Sequence, residues 1–207
     1  MQRDPKDLVR YTAAERANHW VVGMCFILLA LSGLAFFHPA FFGLTLLFGG
    51  PTWTRILHPY AGVVMAALFA VMALRFWRLN LMGAHDWEWL RRIRELVDGD
   101  DHNMPEMGKY NGGQKLLFWV LILCVLALLL SGLAIWRAYF AGYLPVGVVR
   151  LASVAHAASA VAMISLIFVH VYAAIWVRGT IRAMWYGTVT RAWARQHHRA
   201  WYKTVVK

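Results

Sequence analysis

Acidic residues are scarce in this chain of 207 residues, which has 10 Asp and Glu against 21 Lys and Arg. All ten lie at positions 4–15 or 86–106, so the long apolar runs contain no carboxylate. This distribution argues against a transporter that moves protons or cations through an Asp or Glu within the membrane. Membrane topology and attraction to anionic lipid explain the net charge of +11 better than nucleic-acid binding does.

Cysteine is also rare, since the chain contains only Cys25 and Cys124. The two are isolated, with no paired spacing of the kind that holds a metal or a cluster. We expect both to be small core residues. The N-terminus lacks the pattern of a cleavable signal, because mostly polar residues precede a full-length apolar run, and the first helix is therefore expected to be retained.

Apolar sequence is abundant, at 60% hydrophobic residues. Four runs approach or exceed the ~20 residues that a helix needs to cross the hydrocarbon core of a bilayer. The sequence predicts an all-α fold, a four-transmembrane-helix bundle that forms a single domain over 1–207. The predicted helices are 17–37, 59–77, 116–136 and 151–177, with a connecting loop at 78–115 and a tail at 178–207.

The basic residues indicate the orientation. The N-terminal segment, the 75–115 connection and the tail hold 18 of the 21 Lys and Arg, and the others are Arg55, Arg137 and Arg150. Since Lys and Arg remain on the cytoplasmic side, both termini and the middle loop are predicted to be cytoplasmic in a multi-pass membrane protein. The loop has the composition of a solvated segment with a short helix near Asp86–Val97.

An internal repeat is also visible. The letters Leu-Ser-Gly-Leu-Ala occur at 31–35 and again at 130–134, an offset of 99. A second offset of 98 aligns His58 with His156 and Met65 with Met163. The chain is therefore interpreted as two related helical hairpins. Chance coincidence is the alternative, because membrane helices use few residue types.

Four histidines lie in or at the ends of the apolar runs: His19, His58, His156 and His170. Ionisable residues within a membrane usually mark a functional site. His156 and His170 are 14 positions apart, a rise of about 21 Å along a helix, so they cannot bind one metal ion. The two residues are separated by about 40° around the helix axis and therefore lie on the same face. We expect them to belong to two sites, one above the other along the helix. Predicted depth pairs His58 with His156 and His19 with His170.

Haem suits such sites, because bundle cores supply side chains from facing helices and two imidazoles fill both axial positions of an iron. We predict two b-type haems, with propionate contacts from Arg16 on one side and from Arg55 or Arg150 on the other. Each histidine alone could instead be a hydrogen-bonded core residue. A haem-free histidine metal transporter or membrane anchor is the alternative from another class. The remaining histidines are expected to be solvated: His38, His85, His102, His197 and His198.

The segment 108–115 precedes the third apolar run and contains three glycines with Asn111 and Gln114. Asn111 can cap the helix, and the glycines can turn the chain. The segment also lies at the predicted depth of His19 and His170, where amide groups and open backbone could bind a quinone. Both interpretations remain open.

Several short segments distributed along the chain carry a shared pattern: Glu-Arg-Ala-Asn-His-Trp at 15–20, Arg-Ile-Leu-His-Pro at 55–59, the segment 108–115, Ile-Trp-Arg at 135–137, Val-His-Val-Tyr at 169–172, Trp-Val-Arg-Gly at 176–179 and the tail segment 193–202. On these segments, and over nearly its whole length, the chain resembles the cytochrome b (gamma) subunit of membrane-bound, quinone-reducing bacterial formate dehydrogenases. The resemblance implies a place in the bacterial inner membrane. The chain departs from the family pattern at Gly112, Gln196, Arg199 and Ala200, and none of these is a proposed ligand.

The resemblance implies the same haem ligands, His58 and His156 on the periplasmic side and His19 and His170 on the cytoplasmic side. It also implies a menaquinone or ubiquinone pocket at Asn111, Gly113, Gln114 and His170. The implied partners are an iron–sulfur beta subunit with one membrane anchor and a molybdenum or tungsten alpha subunit that oxidises formate, and a trimer of such heterotrimers is allowed. A cytochrome b subunit of a hydrogenase or a sulfur-compound reductase is the closest alternative.

Overall fold

The computed structural model describes residues 7–99 and 102–206. Arg3, Asp4, Lys6, Asp100, Asp101 and Lys207, which enter the charge counts above, lie outside the described residues. The helices are α1 Ala13–Phe37, α2 Pro51–Phe76, α3 Ala84–Arg91, α4 Ile93–Val97, α5 Gly112–Ile135, α6 Val146–Trp176, α7 Thr180–Tyr186, α8 Arg191–His197 and α9 Arg199–Val205. Two short strands are β1 Leu8–Val9 and β2 Thr188–Val189, and 3-10 turns cover Pro39–Phe48, Trp77–Asn80 and Ala141–Tyr143.

Among the described residues, four helices are long and apolar enough to cross a membrane: α1, α2 with its extension to Asn80, α5 and α6. Their apolar side chains are largely exposed, as Leu74 at 74% and Phe168 at 72% illustrate. Surfaces of this extent would be unfavourable in water and suit lipid contact. The predicted all-α fold with four membrane-spanning helices is therefore confirmed.

The second spanning helix begins at Pro51, before the predicted start at 59. Gly49 and Gly50 have φ values of 83° and 98°, a left-handed conformation that glycine adopts without steric cost and that turns the chain before the helix. Pro51 takes the first helical position, where its missing N–H is not needed. Pro59 then lies inside α2, where it removes one hydrogen bond of the helix.

The chain divides into two compact units. Unit 1 comprises residues 1–16, 73–120 and 170–207, and unit 2 comprises 17–72 and 121–169. Unit 1 contains 18 of the 21 basic residues and all ten acidic ones, whereas the basic residues of unit 2 are Arg55, Arg137 and Arg150. The prediction of a single domain over 1–207 stays a prediction.

Within unit 1 the tail folds against the N-terminal segment. Strands β1 and β2 pair antiparallel, with Leu8 opposite Val189 and Val9 opposite Thr188. Ala183, Val189, Trp193 and Ala194 form a buried cluster against which Leu8 packs. An ion pair between Arg182 and Asp7 joins the same two segments. Strands of two residues carry no readable alternation of polar and apolar residues, which is why the sequence did not predict this pairing.

A buried arginine lies at the centre of this packing. Arg10 is 4% exposed, and its guanidinium lies 4.9 Å from the ring centre of Trp193 and 5.0 Å from that of Trp201. Aromatic faces stabilise a desolvated cation. Arg10 also donates to the carbonyl of Lys109 and, at 3.3 Å, to the Nε2 atom of His198.

The prediction that His198 is solvated is wrong, because its side chain is 1% exposed. The Nδ1 atom of His198 donates to the carbonyl of Gly108 at 2.7 Å, so Nε2 is the acceptor for Arg10. Burial and the neighbouring Arg10 guanidinium lower the pKa of His198 to about 3. The neutral ring therefore links the N-terminal segment, the 102–110 loop and the tail.

Acidification is expected to loosen the tail. An unfolded tail would titrate His198 near its ordinary pKa of 6.5, whereas the folded pKa is about 3, so the stability is fully present above pH 6.5 and is lost as pH falls toward 3. Hydrogen exchange of residues 188–206, corrected for its intrinsic pH dependence, should accelerate between pH 6.5 and pH 4.5. His198→Gln should accelerate exchange at pH 7 and flatten this profile. The exposed control His85→Gln should behave like the parent, and a pH-independent parent profile would contradict the account.

Candidate functional site

His58 on α2 and His156 on α6 face each other within unit 2. Their ring centres are 6.2 Å apart, and the ring planes cross at 69°. Both rings are mostly withdrawn from solvent. The structure thus brings together one of the two histidine pairs that the sequence predicted.

Each of these rings is held by a serine and faces a glycine. Ser32 Oγ lies 2.7 Å from His58 Nδ1, and Ser131 Oγ lies 3.0 Å from His156 Nδ1. A Cβ added to Gly33 would lie 3.4 Å from His58 Cε1, and one added to Gly132 would lie 3.2 Å from His156 Cε1. The two copies of Leu-Ser-Gly-Leu-Ala therefore place the same two residues against the two histidines. Sequence reasoning identified both repeats but missed this contact, which their nearly equal offsets could have indicated.

The surroundings of this pair are apolar. A pocket of about 270 Å³ opens beside His58 and Ser32, and its other lining residues are Leu28, Phe48, Leu57, Tyr60, Ala61 and Val64. Arg55 lies about one turn before His58 on α2, with its guanidinium 5.7 Å from the ring centre of Phe36. Arg150 precedes His156 on α6. Both arginine side chains are exposed, as contacts with haem propionates at the edge of a site would require.

The other predicted pair is His19 with His170. His19 is half-buried on α1 in unit 2, and His170 is half-buried on α6 in unit 1. Their pairing stays a prediction. Arg16, the candidate for a propionate on that side, donates from Nη1 to the carbonyl of Trp185 at 2.6 Å.

The segment predicted to bind quinone forms the start of α5. Asn111 Oδ1 accepts from the backbone N–H of Gln114 at 2.9 Å, and Gln114 Oε1 accepts from the N–H of Asn111 at 3.1 Å. This reciprocal arrangement is a capping box, so the capping interpretation of Asn111 is confirmed. Because the two amide oxygens are used in this way, the NH₂ groups are what these side chains offer a ligand.

The glycines of this segment are packed against α3. A Cβ on Gly112 would lie 2.5 Å from the backbone carbonyl oxygen of Asp86, and one on Gly113 would lie 2.9 Å from the Trp89 ring. Asp86 is itself buried and bonded to Lys115 Nζ at 2.8 Å. Glycine at these positions therefore permits a close approach of α5 to α3, independent of any ligand.

Comparison with known proteins adds the family. The model of the prokaryotic cytochrome b561 family matches residues 10–187. The chain belongs to this family. It is 48% identical over 200 residues to the cytochrome b556(fdo) subunit of formate dehydrogenase from Escherichia coli K12, covering 97% of this chain and 94% of that protein. It is 43% identical to the nitrate-inducible cytochrome b556(Fdn) subunit of the same organism, with 98% and 93% covered.

A formate dehydrogenase cytochrome b556 subunit of Haemophilus influenzae is 39% identical over 199 residues, which cover 96% of this chain and 84% of that protein. The predicted resemblance to formate dehydrogenase cytochrome b subunits is confirmed at this level. The chain is a membrane cytochrome b, and membership of this family implies b-type haem.

The His58–His156 pair fits a haem iron. An imidazole nitrogen binds a metal ion at about 2 Å and the ring centre lies roughly 1 Å behind it, so two imidazoles on opposite sides of one ion have centres about 6 Å apart. The observed separation is 6.2 Å. Gly33 and Gly132 leave space beside the imidazole edges, and the apolar lining suits a flat, hydrophobic macrocycle.

Proposed function

We propose that this cytochrome b561-family chain is the membrane electron-transfer subunit of a formate dehydrogenase complex. It would accept electrons from an iron–sulfur beta subunit on the periplasmic side and reduce a quinone near the cytoplasmic face. The observation that carries the proposal is the His58–His156 pair at 6.2 Å in a chain whose relatives include formate dehydrogenase cytochrome b556 subunits. The formate-oxidising site lies on another subunit.

Two b-type haems, when bound, supply one-electron transfer between the donor subunit and the quinone. His58 and His156 hold one haem from α2 and α6, and His19 and His170 hold the other from α1 and α6. The exposed guanidinium groups of Arg55 and Arg150 compensate propionate charge beside the first pair. Arg16 remains the candidate on the other side, where it also donates to Trp185.

The quinone is proposed to bind at Asn111, Gly113, Gln114 and His170. The capping box orients both amide side chains, so their NH₂ groups can donate to the carbonyl oxygens of a quinone. All four residues belong to unit 1, which also contains the acidic residues of the chain and most of the basic ones. Such charge segregation supports a cytoplasmic position for this segment and for both termini in the bacterial inner membrane.

Delivery of electrons at one face and uptake of protons by the quinone at the other separates charge across the bilayer. Each charge moved against the membrane potential stores about 2.3 kcal/mol per 100 mV. The complex would thus contribute to the potential without a pump. The other proposed partner is a molybdenum or tungsten alpha subunit that supplies electrons from formate to the beta subunit, and three such heterotrimers are an allowed assembly.

The proposal is tested by purifying the tagged chain from its native membrane. The expected preparation contains an iron–sulfur subunit and a molybdenum or tungsten subunit, and it reduces menaquinone or ubiquinone with formate as the only donor. A preparation that contains hydrogenase or sulfur-compound reductase subunits, and that lacks formate activity, would overturn the assignment to formate dehydrogenase. A colourless chain without partners would favour a metal transporter or a plain membrane anchor.

A further inference from the structure

We infer that Ser32 and Ser131 are positioning residues that fix His58 and His156 in the tautomer with the proton on Nδ1, which leaves Nε2 of each ring for the iron. This inference rests on the proposed haem between the two histidines. It assigns a function to the repeated Leu-Ser-Gly-Leu-Ala segments.

The direction of the Ser32 bond follows from counting protons. Ser32 Oγ lies 2.7 Å from the carbonyl oxygen of Leu28, which can only accept, so the single hydroxyl proton of Ser32 is donated there. Ser32 Oγ is therefore the acceptor in its 2.7 Å contact with His58 Nδ1. The ring proton of neutral His58 lies on Nδ1, and the lone pair available to a metal lies on Nε2.

His156 reaches the same tautomer through two acceptors. Its Nδ1 atom lies 3.1 Å from the carbonyl oxygen of Leu128 and 3.0 Å from Ser131 Oγ. A carbonyl only accepts, so Nδ1 of His156 must carry the proton. Ser131 donates its own proton to the carbonyl of Ala127. Both histidines consequently present Nε2 as the free ligand atom.

The two serines differ from other serines of the spanning helices. Ser32 is 2% exposed and Ser131 is 8% exposed. Ser153 on α6 makes the same hydroxyl-to-carbonyl bond, to Val149 at 2.8 Å, yet it is exposed. Ser32 and Ser131 are thus buried beside the histidines, and each already donates its hydroxyl proton to a backbone carbonyl.

A hydrogen bond from the distal nitrogen makes an imidazole a stronger donor to its metal and favours the oxidised state. Removal of the Ser32 hydroxyl takes away the acceptor of His58 Nδ1. Removal of the Ser131 hydroxyl leaves the Leu128 carbonyl as an acceptor for His156. Ser32→Ala should therefore raise the reduction potential of this haem more than Ser131→Ala does.

The test is a redox titration of both haems in the purified complex. For Ser32→Ala we expect about a tenfold change in the ratio of ferric to ferrous binding, a scale set by typical effects of outer-shell partners, which is ~59 mV for a one-electron couple. The potential of the second haem should not change. Ser131→Ala should give a smaller shift in the same direction. Ser32→Thr, which keeps the hydroxyl, should restore the parent potential, and Ser153→Ala is the matched control.

The possible outcomes separate the two hypotheses. A parent complex with two haems whose potentials are unchanged in Ser32→Ala and Ser131→Ala overturns the inference and leaves the proposed function standing. Equal shifts in Ser32→Thr and Ser32→Ala would identify a packing effect and also overturn it. Should Ser32→Ala lose its haem, the other two variants decide. The inference then requires a raised reduction potential in Ser131→Ala and the parent potential in Ser32→Thr, and any other result overturns it. A parent chain that binds no haem overturns the proposed function together with the inference.

Discussion

His156→Ala is expected to reduce the haem content of the chain by about half and to stop electron transfer to quinone. The imidazole of His156 lies opposite that of His58 at 6.2 Å, and its loss would leave the proposed haem with one histidine ligand in place of two. Outer-shell changes alone typically cost 10- to 100-fold in affinity, so deletion of a ligand should cost more. Haem quantified per chain, together with the reduced-minus-oxidised absorbance, measures the effect.

His58→Ala should give the same loss, because both ligands belong to one site. The matched control is His38→Ala, since the His38 side chain is exposed and accepts a hydrogen bond from the backbone N–H of Ala40 in the same short turn. The control should keep the haem content of the parent. If His58→Ala and His156→Ala both retain the full content, the pairing of these residues on one haem is contradicted.

His170→Ala is expected to have the second large effect. His170 is proposed both as a haem ligand and as a neighbour of the quinone, so formate-driven quinone reduction should fall by at least about 100-fold. Oxidation of formate with an artificial dye should persist, because the dye takes electrons before they enter this chain. Measuring both activities on the same preparation shows whether the variant loses quinone reduction while the other subunits still oxidise formate.

Two controls sharpen this experiment. The exposed residue His85, on α3, can be changed to Ala, and that variant should retain both activities. His19→Ala should lose the same haem as His170→Ala, while the His58–His156 haem remains. Loss of dye-linked formate oxidation in His170→Ala, with the complex intact, would contradict the assignment of His170 to electron transfer alone.

The spanning helices could be predicted from sequence because their signal is strong and local. Long apolar runs without carboxylates define α1, α2, α5 and α6, although the start of α2 lay outside its apolar run. The turn at Gly49 and Gly50 places Pro51 at the first helical position, and the polar residues between Pro51 and Pro59 obscured that start. Hydropathy indicates which part of a helix contacts lipid, but it does not define the residue at which the helix begins.

The contacts of unit 1 were not predictable for a different reason. The tail is rich in Arg and His, and the usual expectation for such a segment is solvation. Aromatic rings from the tail and from the 102–110 loop surround the Arg10 guanidinium, which in turn contacts His198, and these residues are distant in sequence. No periodicity within one segment indicates such a contact.

Part of the histidine site could be predicted from the sequence. Depth along the helices was sufficient to pair His58 with His156, because an ionisable side chain within an apolar run is a strong signal. The hydrogen bonds that Ser32 and Ser131 accept from the two histidines depend on the rotation of α1 and α5 about their axes, which apolar helices without a polar face do not reveal. The pairing of His19 with His170 rests on depth alone.

The measurement that tests the central claim most directly is the haem content of the purified chain, combined with its reduced-minus-oxidised absorption and the electron paramagnetic resonance of its ferric form. Four histidines in two pairs predict two b-type haems per chain, both low-spin with two imidazole ligands. A chain without haem, or with a single haem that survives both His58→Ala and His156→Ala, would contradict the account.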